Sequence, residues 1–72
     1  MVKAVILVKS LKKLIAAKLG KMNFVYNSFP TSGQFDAVAF VEVKDLSEIR
    51  EITTKIQMIP GVERTETMIE IQ

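Results

Sequence analysis

The stretch AVAFVEVKDLSEIREI, residues 37–52, joins a strand pattern to a helix pattern and decides the fold. Residues 37–44 are apolar at both sets of alternate positions, which is typical of a strand buried on both faces. Asp45 and Glu48 then form the capping-box pattern that starts a helix. This helix carries an apolar stripe that continues until a Pro-Gly pair stops it: Leu46, Ile49, Ile52, Ile56 and Ile59. The sequence therefore predicts a central strand followed directly by an amphipathic helix.

The segments on either side repeat these two patterns. Residues 1–9 (MVKAVILVK) predict a second strand with two apolar faces, and residues 11–20 predict a helix with Ser10 as its N-cap. Residues 23–29 precede a proline and are typical of an edge strand, whereas residues 62–72 alternate like a half-polar edge strand. The order βαββαβ in 72 residues predicts an α+β, ferredoxin-like plait. In this fold two helices cover one face of a four-stranded antiparallel sheet whose strands 1 and 3 are central.

Length and composition narrow the function. A chain of 72 residues is expected to form one domain, residues 1–72, whose small core gains from self-association. The absence of cysteine and histidine excludes zinc fingers, redox dithiols and the usual general base, so neither a metal nor another cofactor is expected. A net charge of +2 is small for a nucleic-acid binder. The N-terminus has no apolar run long enough for a signal peptide or a membrane span, which predicts a soluble cytoplasmic protein without a membrane partner.

The sheet face without helices is the first candidate interface. Because two helices cover only one face, Val5 and Leu7 of strand 1 and Val38 and Phe40 of strand 3 would contact water. An exposed apolar patch of this kind usually marks an interface. The sequence therefore predicts a homodimer of facing sheets, with Val5, Leu7, Val38, Phe40 and Met68 at the interface. The alternative is a monomer with a mildly apolar surface.

The loop TSGQFD, residues 31–36, is the candidate ligand site. Gly33 permits a positive φ and close approach of a ligand to the main chain, and Asp36 can bind an ammonium group. Main-chain N–H groups of the loop can bind a carboxylate, so the two ends of a free amino acid would both be recognised. A plain turn, in which Gly33 supplies the φ angle and Asp36 an Asx hydrogen bond, explains the same residues, and the loop chemistry alone favours it.

Two other functions fit the residues less well. Some plait domains stack RNA bases on central-strand aromatics, but this chain has Asp36, Ala37 and Val38 where that signature needs a basic residue, a glycine and an aromatic. Carboxylate pairs such as Glu63 and Glu66 have no partner nucleophile or metal shell. The protein is therefore expected to be neither an RNA-binding domain nor an enzyme.

Residues 31–72 taken together resemble a known domain, the C-terminal effector-binding (RAM) domain of Lrp/AsnC (feast/famine) transcriptional regulators. The resemblance rests on GQFD at residues 33–36 as the family's Gly-x-[Tyr/Phe]-Asp loop, on DLSEIREI at 45–52 and on IPGVERTETMI at 59–69. The apolar strand after the loop and the first strand, VKAVILVK, also fit. These motifs keep the family's spacing as a set.

The resemblance implies a function and a set of site residues. It implies dimers of facing sheets that assemble into higher even-numbered rings, with a small amino acid bound at the dimer-dimer interface. Binding would modulate transcription through assembly. The ligand-binding residues that the resemblance implies are Gly33, Gln34, Phe35 and Asp36 of the loop and Thr65, Glu66 and Thr67 of a neighbouring dimer.

The first residue of the chain already belongs to the effector domain, whereas the family's regulators carry a helix-turn-helix before it. The protein is therefore expected to act as a stand-alone member that binds no DNA directly. Its expected partners are a free amino acid, further copies of itself and a full-length Lrp/AsnC regulator. The alternative is an oligomeric adaptor that uses the same sheet face and binds no metabolite.

Overall fold

The computed structural model describes residues 1–12 and 14–71. Its elements follow the predicted order: β1 (Val2–Ser10), α1 (Ile15–Leu19), β2 (Val25–Pro30), β3 (Ala37–Val43), α2 (Leu46–Gln57) and β4 (Val62–Ile69). The strands form one antiparallel sheet in the order β2-β3-β1-β4. This order confirms the ferredoxin-like plait, with β1 and β3 in the centre.

The core lies between the sheet and the two helices, because alternate side chains of the central strands point to the helix side. Strands β1 and β3 contribute Ala4, Ile6, Val8, Ala37, Ala39, Val41 and Val43, and the helices contribute Ile15, Ala16, Leu19, Ile49, Ile52 and Ile56. The largest side chains of this set, such as Ile6, Leu19 and Ile56, are completely buried. Burial of each contributes about 1.5–3 kcal/mol. The other face of the sheet is therefore covered by neither helix.

Helix α2 begins as the capping pattern predicts, with one difference in detail. The Asp45 carboxylate accepts hydrogen bonds from the main-chain N–H groups of Ser47 (3.0 Å) and Glu48 (3.3 Å). The Glu48 carboxylate reaches back to the N–H of Lys44 at 2.7 Å, one residue before the cap. Both contacts stabilise the N-terminal end of α2, the end that directly follows β3. No helix in the described residues is long and apolar enough to cross a membrane.

The first helix was predicted incorrectly. In place of a helix over 11–20, β1 continues through Ser10 and α1 covers only Ile15–Leu19. The Ser10 hydroxyl accepts a hydrogen bond from the N–H of Lys12 (3.1 Å), but the residue that precedes α1 is Leu14, which has a φ of 67° and no side-chain cap. The reason lies in distant contacts, because the N–H of Leu11 donates to the carbonyl of Gly61 at 2.9 Å and keeps the chain extended.

The other strands differ from prediction only at their ends. Strand β2 begins at Val25, after Phe24 with a φ of 73°, and includes Pro30. The register shifts between Val25 and Asn27, which indicates a bulge in β2. Strand β3 ends one residue early, at Val43, and β4 ends at Ile69. The predictions made for Lys13 in helix 1 and for Gln72 in strand 4 lie outside the described residues.

Candidate functional site

A groove lies beside Asp36. It has a volume of about 450 Å³ and lies between the end of β1, the segment that leads into α1, and the end of β2. Most of its lining is apolar: Leu11, Leu14, Ile15, Ala16, Ala17 and Pro30. The polar lining residues are Ser10, Lys12 and Asp36. An apolar groove with a few convergent polar groups is typical of a small-molecule site.

The position of Asp36 is fixed by hydrogen bonds to two neighbouring segments. Its N–H donates to the carbonyl of Val8 at 2.8 Å, and its carbonyl accepts from the N–H of Thr31 at 2.9 Å. One carboxylate oxygen, Oδ2, accepts from the N–H of Ser10 at 2.9 Å. Within the described residues Oδ1 accepts no hydrogen bond, and Asp36 lines the edge of the groove.

The remaining loop residues lie beside this groove and do not line it. Gly33 is exposed with a φ of 99°, and a Cβ atom at this position would meet nothing within 4 Å, so the glycine is required by the backbone angle alone. The carbonyl of Phe35 accepts a hydrogen bond from the Thr31 hydroxyl at 2.9 Å. The Arg64 guanidinium lies 5.3 Å from the centroid of the Phe35 ring, within cation–π range. Gln34 is exposed.

The structure divides the predicted segment Thr65, Glu66 and Thr67 between two faces. The Thr65 hydroxyl accepts from the Gln57 side-chain amide at 3.1 Å, and the Thr67 hydroxyl lies 3.4 Å from that of Thr53, so both threonines face α2. Glu66 pairs with Leu7 and faces the open side of the sheet. None of the three lines the groove of their own subunit.

The predicted interface residues Val5, Leu7, Val38, Phe40 and Met68 do share the sheet face without helices. Val5 pairs with Phe40 on one side and Met68 on the other, and Leu7 pairs with Val38. The expectation that Val38 faces water is wrong, because this residue is only 4% exposed. It lies between the larger side chains of Leu7 and of its β2 partner, Phe29.

Sequence reasoning missed two groups of residues that belong to these surfaces. The Tyr26 and Phe29 rings lie 6.2 and 5.8 Å from the Phe40 ring, which extends the open face onto β2. Their spacing of three does not fit the strand period of two, and only knowledge of the bulge would have placed them together. The groove walls Leu11 and Leu14 lie in the segment predicted as part of the first helix, and they are 77% and 81% exposed.

The described residues form a plait with an apolar groove edged by Asp36, and the sequence comparisons identify its family. The family model of the Lrp/AsnC ligand binding domain matches residues 3–72, and the chain belongs to this family. The HTH-type transcriptional regulator FL11 of Pyrococcus horikoshii is 33% identical over 58 residues. The match covers 81% of this chain and 38% of FL11, so the chain spans well under half the length of that relative. The family resemblance is thereby confirmed.

Solved structures show the same fold. The protein TTHA0845 from Thermus thermophilus superposes with a TM-score of 0.92 at 28% identity, over 100% of this chain and 95% of that one. The feast or famine regulatory protein Rv3291c of M. tuberculosis, complexed with L-methionine, has a TM-score of 0.84 at 18% identity. The alignment covers 100% of this chain and 51% of Rv3291c. At that identity the second likeness concerns the fold alone.

Proposed function

We propose that this protein is an amino-acid-sensing domain that binds a small amino acid at a dimer-dimer interface and modulates transcriptional regulation through assembly. The observation that carries the proposal is the carboxylate of Asp36 at the edge of an apolar groove, held there by the N–H of Ser10. Membership of the Lrp/AsnC ligand-binding family supports it. Rv3291c, complexed with L-methionine, is an example of a protein of the same fold with an amino acid ligand.

Binding begins at Asp36. The ammonium group of the ligand donates to Oδ1, a charge-assisted hydrogen bond that is stronger than one between neutral groups. Main-chain groups of the loop, from Gly33 through Gln34 and Phe35, complete the contact on one side. Thr65, Glu66 and Thr67 of a neighbouring dimer close the site on the other, which accounts for a groove that is open in a single subunit.

Assembly follows from the position of the ligand between subunits. A ligand that binds only the assembled state stabilises it by mass action, by about 2.7 kcal/mol at a hundredfold excess over the dissociation constant. The dimers are formed by the open sheet faces, whose apolar residues are Val5, Leu7, Val38, Phe40 and Met68. The dimers assemble into even-numbered rings. In the cytoplasm they also assemble with a full-length regulator of the family, which supplies the contact to DNA.

Native mass spectrometry of the purified chain tests this proposal, alone and with each of the twenty amino acids. Subunit number and bound mass are scored together. Stoichiometric uptake of one class of amino acid by an even-numbered assembly is the expected result. A stable oligomer that takes up none of the twenty would instead support the second candidate, an adaptor without a metabolite. One observation favours the adaptor: the apolar residues of the open sheet face are not among those that line the groove.

A further inference from the structure

We propose that the outer edge of β4 docks an extended, basic segment of another protein, which adds to the sheet as a further strand and places an aliphatic side chain beside α2. The juxtaposition that carries this inference is a row of outward-facing main-chain groups next to a groove between β4 and α2. The inference goes beyond the proposed function, because it concerns a different groove and a polypeptide ligand.

Strand β4 lies at one end of the sheet, so only one of its edges is paired in the described residues. On that paired edge the N–H of Glu70 donates to the carbonyl of Lys3 at 2.9 Å. Because main-chain groups alternate in direction along an antiparallel strand, those of Thr65, Thr67 and Ile69 point to the outer edge. An edge of this kind is a template for the pairing of another strand.

The other edge strand, β2, is less suited to such pairing. It contains Pro30, which has no N–H group, and its register shifts between Val25 and Asn27, which indicates a bulge. Both features protect a strand edge from further pairing. Strand β4 contains no proline, and its register with β1 is regular from Arg64 to Ile69. Docking is therefore expected at β4.

The α2–β4 groove lies beside this edge and has a volume of about 410 Å³. Its apolar end is formed by Leu46, Ile49 and Ile69, and the first and last of these are 59% and 42% exposed. Thr53 and Gln57 contribute polar groups farther along α2. An added strand directs alternate side chains to the groove, and the one opposite Ile69 meets the apolar end. An aliphatic side chain is therefore favoured at that position.

The charges of β4 favour a basic partner. Glu63, Glu66 and Glu70 are exposed on or directly after this strand, against one base, Arg64. Opposite charges on facing residues stabilise paired strands, whereas like charges destabilise them. A second copy of the chain offers no basic edge, because β2 is uncharged and β4 is itself acidic. The segment therefore belongs to a different protein and carries lysine or arginine at alternate positions.

The docking site overlaps with a surface that the proposed function uses. Thr65, Glu66 and Thr67 of the same strand close the proposed amino-acid site of a neighbouring dimer. A docked segment and that neighbour therefore exclude each other on one subunit. Because the docking is tested without an amino acid, its failure would leave the proposed function standing.

Fluorescence anisotropy of the labelled peptide Lys-Val-Lys-Thr-Lys-Thr, titrated with the unmodified chain, tests the docking. In an antiparallel pairing its valine lies opposite Ile69, and two of its lysines lie opposite Glu66 and Glu70. Methylation of the valine and threonine N–H groups, which face β4, is expected to weaken binding about tenfold. Methylation of the lysine N–H groups, which face away, is the matched control and should change binding little. Absence of binding, or equal losses from both methylations, would overturn the strand pairing.

Ile69→Ala tests the α2–β4 groove. The variant is expected to bind the valine peptide about tenfold more weakly, but to bind a peptide with alanine in place of valine as the parent does. Ile71→Ala is the matched control, because Ile71 is 89% exposed and is not among the residues that line the groove. Circular dichroism verifies that both variants fold. Equal losses for the two peptides would contradict the contact with the groove.

A peptide in which glutamate replaces each lysine tests the preference for a basic partner. It keeps the valine and every main-chain group, but like charges would face each other on the two strands. It is expected to bind about tenfold more weakly than the basic peptide, and this difference should shrink at high salt. If the acidic peptide bound as tightly as the basic one, the choice of a basic partner would be refuted.

Discussion

At the scale of single residues, Asp36 combines a structural contact with the proposed binding contact. Its Oδ2 accepts from the N–H of Ser10, a residue that is 8% exposed, while Oδ1 has no partner in the described chain. Removal of the whole side chain would therefore leave a nearly buried N–H group unpaired. Such a loss costs about 1–3 kcal/mol and would obscure any effect on the ligand. A substitution that keeps an acceptor oxygen separates the two contacts.

Asp36→Asn makes this separation, since an amide oxygen can still accept from Ser10 but carries no charge. Its melting temperature without ligand is expected to stay close to that of the parent, and the stabilisation by a bound amino acid is expected to disappear. Asp36→Ala should lose both the hydrogen bond with Ser10 and the stabilisation by a bound amino acid. Its unfolding free energy without ligand should be lower by about 1–3 kcal/mol. Thermal denaturation with and without leucine measures both effects.

Glu63→Gln, which removes an exposed charge on β4, is the control. Undiminished stabilisation of Asp36→Asn by leucine would contradict the binding role.

At the scale of elements, the sequence predicted those whose local pattern agrees with their distant contacts. Strands β1 and β3 are apolar on both faces because both are central. Helix α2 begins directly after its N-cap, Asp45, because the capping residues are close together in sequence. Residues 10–14 could not be predicted in this way. The leucine spacing there imitates a helix. The N–H groups of Ser10 and Leu11 instead donate to the Asp36 carboxylate and the Gly61 carbonyl, both far away in sequence, and these hydrogen bonds hold the end of the strand. The groove was missed for the same reason, although the loop that borders it was found.

The cap of α2 makes the stability of this element depend on pH. The Ser47 hydroxyl and the N–H of Glu48, which donate to the Asp45 carboxylate, lower its pKa from the ordinary value of 3.8. The folded state therefore binds this proton more weakly than the unfolded state. The stabilisation is complete above pH 3.8 and is lost as the pH falls through the lowered pKa.

Asp45→Asn is expected to reduce the dependence of stability on pH below 3.8, because its side chain does not titrate. Urea denaturation of the parent and the variant at a series of pH values between neutrality and strong acid measures this. The difference in unfolding free energy between the two proteins should shrink as the pH falls. Glu51→Gln, which removes the carboxylate of the exposed pair with Lys55, is the control. A constant difference across the series would show that the charge of Asp45 has no part in the cap.

At the scale of the whole molecule, the fold separates two surfaces. The groove lies at the end of β1 near α1, whereas the apolar open face runs across all four strands on the side away from both helices. Tyr26, Phe29 and Met68 on that face are between 45% and 59% exposed. One surface can therefore form the proposed dimer while the other stays available for the proposed ligand.

Met68→Glu tests whether the open face forms the dimer. Met68 is 51% exposed on the edge strand β4, so the substitution should leave the fold of the subunit intact. In a facing-sheet dimer it would bury an unpaired charge, at a cost of about 3–5 kcal/mol, and weaken dimerisation at least a hundredfold. Met58→Glu is the matched control, because Met58 is an exposed methionine at the end of α2, outside the open face. Sedimentation velocity is expected to show monomers for Met68→Glu and parent-like assemblies for Met58→Glu. The proposed rings are built from dimers. Met68→Glu should therefore also lose the ring assembly that a bound amino acid promotes. An unaltered dimer of Met68→Glu would assign the dimer to a different surface and leave the open face for another partner.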